Sequence, residues 1–114
     1  MDLINDIQAL MEELTISIKK LSQTGQALAE AERDYKVTLR QEALKLRVEK
    51  DMPVTLINQI IFGVPEVAEK RFKRDVAETM RDTNLEHIQA TKLKLRLLES
   101  QLQREWGSSG KGDL

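Results

Sequence analysis

His87 is the chain's one histidine, and what it can do depends on its neighbours. A metal site would need carboxylates on the same face. Glu86 is adjacent and so turned about 100° away on a helix, while Glu78 and Asp82 lie on another face or beyond the best i−4 spacing. The acidic pairs Glu12–Glu13 and Glu30–Asp34 suggest a di-metal bundle site only superficially. That chemistry requires Glu-x-x-His, and Asn84 stands three residues before His87. These acids read as a solvated face. Ser108 and Ser109 have no base partner in the sequence around them. Gly25 and Gly63 are isolated and the other three glycines fall near the C-terminus, so no phosphate-cradling loop is expected. With no cysteine there is no thiolate nucleophile, disulfide or thiolate-held zinc. The expectation is a protein that is not an enzyme and holds no metal or cofactor.

The basic run Lys70-Arg71-Phe72-Lys73-Arg74 is the most suggestive cluster. Lys70, Arg71, Lys73 and Arg74 are the candidates for phosphate contact, joined by Lys36, Arg40, Lys45, Arg47 and Lys50 if the chain folds back on itself. Glu66, Glu69, Asp75, Glu78 and Asp82 dilute the cluster, and the net charge is −1. A salt-bridged, solvated face is therefore the better reading, with nucleic acid a weaker alternative. Residues 54–74 also admit a helix-turn-helix reading. Gln59 replaces the usual small residue, Glu69 stands where an apolar one is wanted, and Pro65 opens a second helix far longer than a recognition helix.

The elements that must carry these residues are helical. At 114 residues the prior is one domain. Aromatic residues make up 4% and Gly plus Pro number seven, which disfavours a sandwich or barrel. From Leu3 onward, apolar or small positions recur at steps of four and three through Ile7, Leu10, Leu14, Ser17, Leu21, Thr24, Leu28, Ala31 and Tyr35. This is a heptad seam, and it continues through Leu39, Ala43 and Leu46. Gly25 marks a place for a kink. Pro53 ends this first helix, set at residues 2–50. Residues 54–62 form a short helix capped by Thr55, with Leu56, Ile57, Ile60 and Ile61 turned inward. Pro65 opens a third helix over 65–106, its stripe running through Ala68, Phe72, Val76 and Met80, then Ile88, Leu95, Leu98 and Leu102. Residues 1–107 make a single helical domain, and 108–114 read as a flexible tail.

At 1.5 Å per residue the two long helices span ~72 and ~63 Å, and matched lengths invite antiparallel pairing. Residues 1–34 carry three Lys/Arg against seven Asp/Glu and residues 88–106 four against two, so the pairing sets acid beside base. The fold expected is all-α, a coiled-coil-like antiparallel helical hairpin with a short helix at its turn. Leu93 and Leu97 lie off the seam. They point to a second contact face and a homodimeric bundle. Ser17, Thr24, Asn84 and Thr91 are polar on the seam, either as tolerated gaps or as fixers of register and partner. Leu56, Phe62 and Trp106 are the partner-binding candidates. Core packing is the better reading for Ile57, Ile60 and Phe72. No apolar run approaches the ~20 residues that span a membrane, and Asp2 and Asp6 stand where a secretory signal would be basic, so the cytoplasm is the expected location.

Met52-Pro53-Val54-Thr55-Leu56-Ile57, the block 71–78 (RFKRDVAE) and the run 97–106 (LLESQLQREW) resemble small helical proteins encoded by phages and prophages of Gram-positive bacteria. The likeness covers residues 33–107. It implies a phage accessory protein from an early, DNA-metabolism region, at work in the host cytoplasm, and transfers no activity to any particular residue. The function expected is a protein–protein interaction or assembly module that self-associates and engages a phage or host protein. The alternative is a nucleic-acid-binding accessory factor.

Overall fold

The computed structural model describes residues 2–112, with side chains through residue 107. Three α-helices follow one another: α1, Asp2–Glu49; α2, Val54–Ile60; and α3, Pro65–Gly112. A 3-10 turn, Ile61–Gly63, joins α2 to α3. The described residues contain no strand, and the long helices pair as an antiparallel hairpin. No helix among them is long and apolar enough to cross a membrane.

α1 runs unbroken through Gly25. The break allowed there does not occur, because a single glycine costs only about 1 kcal/mol of helix propensity. The helix ends one residue before the expected boundary. Asp51 takes a left-handed conformation (φ 49°) and the Met52 amide donates back to the Leu46 carbonyl at 3.2 Å. α2 starts behind Pro53, not behind a Thr55 cap. Thr55 is already inside the helix, and no side chain caps its first turn. Proline at that position, with φ −62°, supplies the extended entry instead. The backbone of α3 stays helical to Gly112, six residues past the expected helix end at 106. Nothing in 107–112 is proline, and each added residue completes another ladder hydrogen bond. Residues 113 and 114 lie outside the described residues.

The contacts fall into two compact units, each drawing on both long helices. Unit 1 is Met1–Ser22 with Thr83–Leu114. Its α1 seam is half-buried at Leu3, Ile7, Leu10 and Leu14, then buried at Ser17. Its α3 seam is Asn84, Ile88, Thr91 and Leu95, with Leu98 and Leu102 half-buried. The direction of pairing shows in two contacts. The Asn84 side-chain amide donates to the Ser17 carbonyl at 3.1 Å, and four residues earlier on α1, Glu13 meets His87, three residues later on α3, at 3.1 Å.

Unit 2 is Gln23–Asp82 and contains the turn. Tyr35, Ile57, Ile61 and Val67 form its buried cluster, with Val67 fully enclosed; Leu39, Ala43, Leu46, Met52 and Val64 pack around them. The 3.5-residue series on α3 passes through Val67, Lys70, Arg74, Ala77 and Arg81, all buried or half-buried. This corrects the sequence expectation. The Ala68–Phe72–Val76–Met80 stripe is exposed, lying on the opposite side of α3, and Phe72 is 64% exposed. Three cations hold the seam where an apolar reading looks for hydrophobes. Each is half-buried, as a long side chain with an apolar stem and a charged head allows. On α2 only Ile57 turns inward. Leu56 and Ile60 are exposed, because a seven-residue helix offers the cluster a single apolar position per turn.

Candidate interaction surfaces

Arg74 sits on the α3 seam with its guanidinium 4.8 Å from the centroid of the buried Tyr35 ring, a cation–π contact. It also donates to Asp75 through Nε at 3.1 Å and Nη2 at 2.8 Å. The Asp75 hydrogen bond raises the Arg74 pKa above its ordinary value and outweighs the opposing effect of burial, with the charges of Asp75, Tyr35 and Glu78 adding to it. Arg71 lies over Phe62, 5.1 Å from the ring centroid, and Lys73 pairs with Glu69 at 3.7 Å one helical turn back. Lys70 is half-buried on the seam. The four residues that sequence nominates for phosphate are thus spread around α3. Two are spent on aromatic rings and one on a carboxylate. Arg47, from the same end of α1, donates to the Met52 carbonyl at 3.0 Å and secures the turn.

His87 and Glu13 pair in the open, each nearly half exposed. Among the described residues no group of three or more His, Asp or Glu is placed to hold a metal ion. Glu12–Glu13 and Glu30–Asp34 stay on the solvated side of α1 or at its edge. The side chains of Ser108 and Ser109 lie outside the described residues.

Of the partner-binding candidates, Leu56 and Phe62 are exposed in unit 2, with Phe62 partly covered by Arg71. Trp106 is 67% exposed in unit 1, beside Leu102 and Gln103. Ile57 is core, as expected. Ile60 and Phe72 are not, for the reasons of register given above.

Pattern reading missed two apolar stripes on the outer faces of unit 2. On α1, Val37, Leu44 (63% exposed) and Val48 recur with Gln41 at i, i+4, i+7 and i+11. Gln41, Leu44 and Val48 line one shallow groove. On α3, Phe72, Val76 and Met80 line another with Asp75 and Thr79. Counting back in threes and fours from Leu95 and Ile88 would have reached Val67 and put the second stripe outside. Unit 1 has its own exposed apolar positions: Met11 and Ile18, seven residues apart on α1, and Leu93 and Leu97, four apart on α3. The two leucines lie off the seam as their spacing indicates. No protein-family model, curated protein or solved structure matches this chain.

Proposed function

We propose that the protein is a non-enzymatic assembly module that works by self-association, as an accessory protein of the phage setting its sequence resembles. The observation that supports this is the set of large apolar side chains held outward on rigid helices, Phe72 and Leu44 foremost. Large apolar side chains left exposed in groups mark an interaction site. A hairpin buries one stripe per helix, and covering a second stripe adds about 1.5–3 kcal/mol for each large side chain enclosed. Light scattering of the full chain at micromolar concentration tests the reading. A mass of at least two 13.1 kDa copies is expected, and a single-copy particle overturns it. The engagement of Arg71, Lys73 and Arg74 within the fold weighs against the nucleic-acid alternative. Fluorescence polarisation with single- and double-stranded DNA checks that alternative, since phosphate contacts would give an affinity that falls steeply with salt.

A further inference from the structure

The two units close on different chemistry. In unit 2, Tyr35, Ile57, Ile61 and Val67 form a cluster of buried apolar side chains, with Leu39, Ala43, Leu46, Met52 and Val64 packed against it. Among the described residues of unit 1, the buried side chains are Ser17, Asn84 and Thr91, all polar, with Ile88 and Leu95. Its α1 seam at Leu3, Ile7, Leu10 and Leu14 is only half-buried.

Along the chain, the apolar burial of one unit is set apart from that of the other. From Lys70 through Arg74, Ala77 and Arg81 to Asn84, the inward series of α3 carries no large apolar side chain; the next is Ile88. On α1, Ser17 and Thr24 are buried polar positions with Leu21 half-buried between them. Half-buried cations and a buried amide withdraw little apolar surface from water, so this stretch transmits little cooperativity.

The polar contacts that close unit 1 are modest as well. Asn84 donates one neutral hydrogen bond to the Ser17 carbonyl, and the His87–Glu13 pair stands in solvent. Regions with few buried apolar contacts open below the global transition, as contiguous units. We infer that unit 1 opens cooperatively on its own, its stretches of α1 and α3 parting while the Tyr35, Ile57, Ile61 and Val67 cluster of unit 2 stays closed. Opening uncovers Ile88 and Leu95 on α3 and Ile7, Leu10 and Leu14 on α1, an apolar surface that the closed hairpin hides. This conformational device goes beyond the self-association reading and does not depend on it.

Native-state hydrogen exchange of the full chain, read amide by amide by NMR over a series of urea concentrations below the unfolding transition, tests the inference. Amides of residues 7–17 and 84–95 are expected to share one opening and to exchange at least about tenfold faster than those of residues 35–46. Val67→Ala removes contacts that the closed chain and the chain with unit 1 open both possess. It is therefore expected to speed exchange at 35–46 by about thirtyfold and to leave 7–17 and 84–95 unchanged. Ile61→Val, a gentler change in the same cluster, is expected to act on the same amides by about fivefold. One common rate over all three stretches overturns the inference. So does a rate graded smoothly from the helix ends, which is fraying and not cooperative opening, or either variant speeding 7–17 and 84–95 as much as 35–46.

Discussion

Asn84 is the residue that most constrains the seam. It is 7% exposed and gives its amide to the Ser17 carbonyl, so its N–H group is essential to the site and its size is not. Asn84→Asp removes the donor and sets a carboxylate against a carbonyl oxygen in a largely dry place. We expect a loss of about 2 kcal/mol in a denaturant titration at neutral pH. Val67, fully enclosed in the unit 2 cluster, should lose about 2 kcal/mol as Val67→Ala by the same measurement. His87→Ala is expected to cost less than about 1 kcal/mol, because its partner Glu13 is as exposed as it is and water replaces the contact. The buried Thr91 hydroxyl donates to the His87 carbonyl at 2.8 Å within its own helix, which explains how a polar residue sits in the seam without a partner across it. Asn84 fixes register; Thr91 is tolerated. The sequence reading left those two roles undivided, since spacing places both on the seam and only geometry shows where each hydrogen bond goes.

At the level of elements, the boundaries of α1, α2 and the start of α3 were legible because proline and the heptad repeat act locally. The phase of α3 across residues 67–81 was not. Hydrophobicity there points to Phe72, Val76 and Met80, whereas the packed face is chosen by the neighbouring Tyr35 and by the turn, which let Lys70, Arg74 and Arg81 lie inward. A long cation stacked on an aromatic ring is a core contact that a binary apolar pattern cannot register. The candidate surfaces followed the same rule. Trp106 and Phe62, named from sequence as partner-binding candidates, are both exposed, but the outward stripes of unit 2 became visible only once the seam was known. Two element-level changes should stabilise the fold. A methyl at Gly25 meets nothing within 4 Å, so Gly25→Ala should raise stability by about 1 kcal/mol, seen as a higher thermal midpoint. Asp51→Gly relieves a left-handed backbone and should gain up to about 1 kcal/mol, again read by thermal unfolding.

For the molecule as a whole, charge placement carries more information than charge total. Nineteen acids against eighteen bases give a net of −1, which alone suggests nothing about partners. Residues 36–50 of α1 carry Lys36, Arg40, Lys45, Arg47 and Lys50 against Glu42 and Glu49, whereas on α3 Lys73, Arg74 and Arg81 pair with Glu69, Asp75 and Asp82. An assembly held by exposed apolar side chains should keep its light-scattering mass as salt is raised from low to molar concentration at fixed protein concentration, since salt screens charges and does not weaken apolar burial.

The aromatic residues divide between the two units in a way that suits optical work. The only tyrosine is enclosed in unit 2 beneath a guanidinium, and the only tryptophan stands in solvent on unit 1. Melting the chain should therefore erase the near-ultraviolet dichroism of the phenol while leaving the indole emission maximum almost where free indole has it. A blue-shifted indole in the native sample would signal something settling on unit 1 near Trp106, and the two chromophores would serve as separate gauges without any label.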